Sequence, residues 1–501
     1  MRNIYQHKYG IIISFNYRYK IIDMFFGRNY ELNRLQELLE KPTASLVTCR
    51  GRRRIGKSTL FVEFARLNNI RMLNLEGLPP RKGMNNEAEL RSFAEQLSGQ
   101  IGKSVAVPDN WLSAFLLLDK EIQPKEKVLV LLDEISWMGK FDPDFAGSLK
   151  IAWDKHFKLH DNLILVLCGS VSAWITDNIL KNTGFAGRRS IDLLLSELPL
   201  SDCVQFWGEA QPRTSFREIF DILSVTGGVP RYLEDFQPKY QANTNIRRMC
   251  FMPDGHLFND FNDIFSEVFG DNAQTKRTLL DLIAEKPQTV SEIAKHLGKE
   301  CGGHLTDHLE ELQLAGFISE DSGMNPETGK PSLFKRYRLK DNYTRFYLKC
   351  IEPHRQRIEK RLFDFTSLKQ LDGWNTILGL QFENLIVNNF HALLPRIGLG
   401  DVTVLSSAPF RKTSGATSPG CQIDLLIQTE CAYYIVEIKR KGIIGNSIIG
   451  EMERKAKSLP VRKNVSIRKV LVYEGQLAGK TSQSGYFDFI IPASELLKPL
   501  P

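Results

Sequence analysis

Residues 51–58 read Gly-Arg-Arg-Arg-Ile-Gly-Lys-Ser, which sets two glycines, a lysine and a hydroxyl at GxxxxGK[ST] spacing. Gly51 and Gly56 let the backbone N–H groups of Arg52, Arg53, Arg54 and Ile55 turn inward, and such a ring of donors binds phosphate oxygens. Lys57 would add a positive charge at the β- and γ-phosphates, and the Ser58 hydroxyl would ligate Mg²⁺. An apolar run at 45–49 precedes the loop, and a helical pattern at 59–67 opens on Thr59 after it. The phosphates would therefore also meet a helix N-terminus. A second apolar run, 128–132, ends in Asp133-Glu134. At the carboxyl end of a strand in a doubly wound sheet, such a pair lies beside the first strand's loop. Asp133 is suited to holding Mg²⁺ through water, and Glu134 to polarising an attacking water. The implied ligands are ATP and Mg²⁺, and the implied reaction is hydrolysis. Ser170, after a run at 163–168, is placed to reach the γ-phosphate or the water. Arg188 and Arg189 are candidates for stabilising transition-state charge. Supplied by a neighbouring subunit, they would make the active form a homo-oligomer.

A separate set of groups lies near the C-terminus. Asp424 sits in an apolar run at 422–427, and the next run, 433–439, carries Glu437 and Lys439. Side-chain alternation puts those two on one side of a strand, and an antiparallel hairpin would bring Asp424 to them. Glu383 lies upstream on a helical stretch. Three carboxylates and a lysine that converge can hold a divalent cation, with Asp424 and Glu437 as its ligands, and activate water for attack on a phosphodiester. Polar residues alternating on a half-buried strand would give the same spacing without chemistry.

The elements that must position these groups follow from periodicity. Between 25 and 200, apolar runs at 45–49, 72–75, 128–132 and 163–168 alternate with helical stretches, the pattern of a parallel α/β sheet. The phosphate-binding core is expected over 24–200. Residues 201–270 read as helical, broken at Gly227-Gly228 and Pro230. Residues 271–340 give helix, capped helix, helix and two strands, the order of a winged helix. Its third helix offers His304, Asp307, His308, Glu310, Glu311 and Gln313, and those acids disfavour base reading. Residues 341–370 are helical and basic, and 371–501 read as a small α/β domain. Residues 1–23 are aromatic and basic without periodicity, with Met24 an alternative start.

Phe26-Gly27-Arg28-Asn29-Tyr30-Glu31-Leu32 stands about twenty residues before the loop, and Thr226-Gly227-Gly228-Val229-Pro230-Arg231-Tyr232-Leu233 follows the core. With the loop and Asp133-Glu134, these segments resemble the prokaryotic AAA+ ATPases called the archaeal ATPase family, relatives of the STAND signalling ATPases. The resemblance covers 25–235. It implies that Gly27 and Arg28 pack near the adenine and that Pro230 lies in a lid near the nucleotide. Asp424, Glu437 and Lys439 form D-x₁₂-ExK with Glu383 on the preceding helix, which resembles the PD-(D/E)XK nuclease-like superfamily, a group with many inactive members. The fold implied is α/β: a P-loop AAA+ parallel-sheet ATPase domain, a helical lid, a winged helix and a C-terminal restriction-endonuclease-like domain.

Of 501 residues, 42% are hydrophobic, enough for large cores. No apolar run is long enough for a bilayer span or a signal-peptide core, so a cytoplasmic protein without a membrane partner is expected. Eight scattered cysteines with no CxxC pair fit reduced, mostly buried thiols. The net charge is +8, yet residues 335–361 alone hold ten Lys or Arg against three acids. Nucleic acid is the partner expected there and at the C-terminal domain, with a solvated helix face as the alternative. Two functions stay open. One is an ATPase whose nucleotide state controls a nuclease-like domain acting on DNA or RNA. The other is a STAND-like switch whose C-terminal domain only binds a partner.

Overall fold

A computed structural model describes residues 25–500, apart from 82, 124–125, 171, 299–301, 333–334, 365 and 413–419. The expected extension at 1–23 and Met24 lie outside the described residues. The chain divides into two compact units, one ending at Ser196 and one beginning at Glu197.

The first unit is built on β1 (Ser45–Gly51), β2 (Arg71–Glu76), β3 (Val128–Asp133), β4 (Leu163–Gly169) and β5 (Ile191–Leu195), in the order β2-β3-β4-β1-β5. Every pairing is parallel. Strands β3 and β4 are buried along their whole length, as expected for central parallel strands covered on both faces. The strand bearing Asp133 is not the neighbour of β1, because β4 lies between them. All strands being parallel, their carboxyl ends still share one edge, and the acids still reach the loop. β5 was not among the expected strands. It is an edge strand of five residues in which Asp192 and Leu194 face outward, and Asp192 interrupts its apolar run. Around the sheet run α1 (Asn29–Gln36), α2 (Lys57–Leu67), α3 (Asn86–Ile101), α4 (Trp111–Asp119) and α5 (Phe145–Lys155). The Asn85 and Asn110 side chains accept from the N–H groups of Ala88 and Ser113 and so cap α3 and α4. Trp111, fully buried, packs edge-on against Phe93 and Phe145 at the centre of this core.

The second unit begins with α6 (Phe216–Thr226), α7 (Ala242–Cys250) and α8 (His256–Phe269). Next come α9 (Ala273–Glu285), α10 (Val290–Leu297) and α11 (Gly303–Leu314), then the antiparallel pair β6 (Ile318–Asp321) and β7 (Arg336–Leu339). Thr289 caps α10, with Glu292 closing a capping box. After α12 (Asn342–Phe346) and α13 (Trp374–Asn388) comes a sheet of β8 (Ser406–Lys412), β9 (Cys421–Gln428), β10 (Ala432–Ile444), β11 (Ser466–Leu477) and β12 (Phe489–Pro492). Its order is β12-β11-β10-β9-β8, antiparallel through β10 and parallel beyond it. Helix α14 (Ser447–Ser458) crosses from β10 to β11, with Ile448 and Met452 in the core.

A buried polar network fixes α13. Gln381 and Asn342 amides both donate to the Ser224 carbonyl of α6, at 2.9 and 3.1 Å. Asn384 donates to Asn342 Oδ1 at 2.6 Å and accepts from Arg338, which pairs with Asp321. Arg440, on β10, pairs with Asp221 of α6 and Glu474 of β11. No helix among the described residues is long and apolar enough to cross a membrane. All described cysteines but Cys431 are buried, and none forms a disulfide.

Candidate nucleotide site and acidic cleft

The loop after β1 turns on residues that accept positive φ: Arg54 at 71° and Gly56 at 84°. A side chain at Gly51 would stand 2.4 Å from the Leu195 carbonyl oxygen, so the loop needs glycine where it leaves the sheet. Lys57 opens α2, buried, with its ammonium donating to the Gly51 and Arg52 carbonyls at 3.2 and 3.3 Å. Ile55 is buried, Arg53 stacks over Trp137, and Thr59 faces outward on the first turn of α2. Gly27 and Arg28 both hold positive φ. The buried Arg28 guanidinium donates to the Ile55 carbonyl at 3.0 Å and to the Ser196 carbonyl at 2.6 Å. It thus grips the loop from behind, a contact the sequence did not suggest.

The Ser58 hydroxyl donates directly to Asp133 Oδ2. A hydroxyl and a carboxylate in contact supply the hard oxygen donors that Mg²⁺ takes beside phosphate, so these two residues fit that ion. Glu134 sits at φ 46°, an uncommon conformation for a side chain of this size. Its N–H donates to Asp133 Oδ1 at 3.0 Å. Its carboxylate accepts from the Ser170 N–H at 3.0 Å and the Ser170 hydroxyl at 2.8 Å. Ser170, past the end of β4, therefore touches the candidate base itself. Arg188 forms a two-pronged pair with Asp154 of α5, at 2.7 and 3.0 Å, which holds the Asp154 carboxyl well below the usual range. Arg189 follows, half-buried, just before β5. Pro230 starts a one-turn helix after Gly227-Gly228 in the second unit.

In the second unit Asp424, Lys439 and Glu383 line a cleft of about 660 Å³, and Glu437 is buried against its Lys439. Asp424 Oδ2 accepts from the Ile438 N–H at 2.9 Å across the β9–β10 hairpin. Glu437, wholly buried, receives Lys439 at 2.5 Å on one oxygen and Lys455 at 2.5 Å on the other. The Lys455 ammonium also stands 3.8 Å from Asp424 Oδ1, so both carboxylates point to one side of the sheet. Glu451 takes Lys439 at 3.0 Å. Burial, with Glu383 nearby, lifts the Asp424 carboxyl to about 6. Burial, with Asp424 beside it, lifts Glu437 to about 7. Burial also raises Glu383, and Glu437 adds to the rise. Burial works against the charge on Lys455, but Asp424 and Glu437 overcome it and raise its pKa. Among the described residues no group of three or more His, Cys, Asp or Glu is arranged to hold a metal. Two carboxylates already bridged by one ammonium are nonetheless a fit for Mg²⁺, which commonly takes one or two carboxylates and completes its shell with water and phosphate.

The family whose model matches residues 25–236 is described as an ATPase domain predominantly from Archaea. That match, on this loop and sheet, supports an archaeal-type ATPase domain that binds ATP. An uncharacterized protein of Methanocaldococcus jannaschii is 25% identical over 365 residues, 72% of this chain and 76% of that one. A Walker-type ATPase of Pyrococcus abyssi shares 18% identity over 65% of this chain and 97% of its own, with a TM-score of 0.45. The ORC2 protein of Aeropyrum pernix shares 14% over 67% and 94%, with a TM-score of 0.40.

Outside the ATPase domain, the basic stretch 335–361 does not line the cleft, whose walls come from α13, β9, β10 and α14. Half of its ten cations are paired as Lys335 with Glu320, Arg336 with Glu292, Arg338 with Asp321, Lys349 with Glu285 and Arg355 with Glu359. All of these but the last tie separate segments together. The basic groups at the cleft are instead Lys439, Arg454, Lys455 and Lys457. Sequence reading missed Glu451 and Lys455. Their i, i+4 spacing was the available signal, but on a polar helix it looks like an ordinary solvated pair.

Arg28→Ala should weaken ATP, GTP and tripolyphosphate binding in parallel, by about tenfold, because the lost bond supports the loop. A loss confined to ATP would instead support a contact between Arg28 and the adenine. The cleft also fixes a pH dependence. Carboxyls whose pKa values are higher folded than unfolded stabilise the fold fully below about pH 4, and that contribution is lost as pH rises through about 7. Urea unfolding of the second unit should therefore show stability falling over that window, and Glu437→Gln should flatten the fall. An unchanged slope in the variant would place the titration elsewhere.

Proposed function

We propose that this chain is an AAA+ ATP hydrolase whose nucleotide state controls a metal-dependent phosphodiester-cleaving site in the C-terminal cleft. The observation that carries the second half is the single Lys455 ammonium reached by both Asp424 and Glu437, which requires two carboxylates on one side of the sheet. In the ATPase domain, the loop N–H groups and Lys57 bind the phosphates, turning Lys57 from its loop carbonyls to the ligand. Ser58 and Asp133 hold Mg²⁺, Glu134 orients and deprotonates the attacking water, and Ser170 sets the direction of its carboxylate. Arg188 or Arg189 would serve in trans only after Arg188 leaves Asp154. Pro230 is read as part of a helical lid. In the cleft, Asp424 and Glu437 hold the divalent ion, Glu383 supports them from α13, and Lys439 faces the phosphorus or the water. A divalent cation bound there supplies charge for the phosphate oxygens and lowers the pKa of a bound water. DNA or RNA would lie along α14 rather than along 335–361.

The second reading is a nucleotide-dependent switch whose cleft binds a partner without cutting it. The internal ion pairs of 335–361 and the acidic face of α11 favour it.

Calorimetry should show Lys57→Ala losing about 10- to 100-fold in ATP affinity, the size of a charge-assisted contact. Glu134→Gln should keep ATP bound while turnover drops about 100-fold or more, since an amide is no base. Wild-type turnover in Glu134→Gln would move the base to another residue. Purified wild-type protein with Mn²⁺ should nick supercoiled plasmid, and Asp424→Asn should not. Equal nicking by both, or none by either at any nucleotide state, would leave the switch as the function.

A further inference from the structure

We propose that Lys455 is a tethered counter-cation: its ammonium occupies the place between Asp424 and Glu437 that a divalent ion would take, and metal enters as that ammonium swings out. The inference rests on the metal-dependent reading of the cleft. Its basis is a division of labour between two lysines. Lys439 rises from β10 beside Glu437, takes its Oε1 at 2.5 Å and leans to Glu451 at 3.0 Å. Lys455 comes from the opposite wall and takes Glu437 Oε2 at 2.5 Å, with Asp424 Oδ1 and Glu451 Oε1 each at 3.8 Å. It is the cation that bridges the two proposed ligands. Two carboxylates buried on one side of the sheet repel unless something positive lies between them, and here that something is Lys455.

The side chain is free to leave while its helix stays. Met452 and Ile448 anchor α14 in the sheet's core, whereas Lys455 projects into the open volume of the cleft. Arg454 and Lys457 line the same wall. An ammonium displaced toward them would complete a basic rim suited to a phosphodiester, so metal entry and anion recruitment would be one event.

The test is Mn²⁺ titration of the nucleotide-free full chain by water-proton relaxation, with Asp424→Asn defining binding outside the cleft. Lys455→Met keeps the length and removes the charge. It should bind cleft Mn²⁺ about tenfold more tightly than wild type, while Lys455→Arg should bind no more tightly. Lys455→Gln serves the same purpose if the methionine variant does not fold. If both wild type and Lys455→Met bind Asp424-dependent Mn²⁺ with equal affinity, or the variant binds more weakly, the counter-cation role is overturned and the metal site stands. If none of these proteins shows Asp424-dependent Mn²⁺, the metal-dependent reading falls with it. Tight binding in Lys455→Met alone would support the proposal in its strongest form.

Discussion

A charged group taken out of water must find an opposite charge or a set of dipoles, and this constraint orders both candidate sites. Lys57 is buried at the mouth of α2 and spends its donors on the carbonyls of its own loop. Arg28 spends its donors on the Ile55 and Ser196 carbonyls, and in doing so connects the segment before the sheet to the loop after β1. Glu437 would be untenable at zero exposure without the lysines on its two oxygens. Each of these pairings satisfies a buried charge within the fold.

The two sites differ in how their charges are held. In the ATPase domain the acids stand at the carboxyl ends of parallel strands, where the chain must turn, and backbone geometry fixes them. The positive φ of Glu134 is part of that turn. In the C-terminal sheet Asp424 and Glu437 lie within paired strands, and the register of the hairpin fixes them. A one-residue slip would send Glu437 to the other face. The long β10, paired on both sides, makes that slip costly.

The phosphate loop, the acid pair after β3 and the β9–β10 constellation were legible because each combines a residue pattern with a strongly apolar strand. What stayed hidden had weak local signals. β5, β8 and β12 are edge or short strands with polar residues or proline, and the ends of β10 and β11 run past their apolar cores into charged sequence. The place of β4 between β1 and β3 could not be inferred, because strand order is a property of crossovers and not of any one segment. Lys455 and Glu451 were hidden for a different reason: their meaning depends on which face α14 turns to the sheet. The density of cations over 335–361 was legible, yet a count of charge does not distinguish a lysine awaiting phosphate from one already joined to glutamate.

Arg440 follows Lys439 directly on β10 and is fastened to Asp221 in the middle of α6, while Gln381, two residues before Glu383, is fastened to Ser224 near the end of that helix. The strand with the lysine and the helix with the outlying acid are thus bolted to one and the same rod. Bending within such an assembly would break buried polar bonds. The far end of the rod is held as well, where the Gly228 N–H donates to Glu197 at 3.3 Å and the Gly228 carbonyl accepts from the Leu198 N–H at 2.8 Å. Lys439 and Glu383 thus share one rigid support.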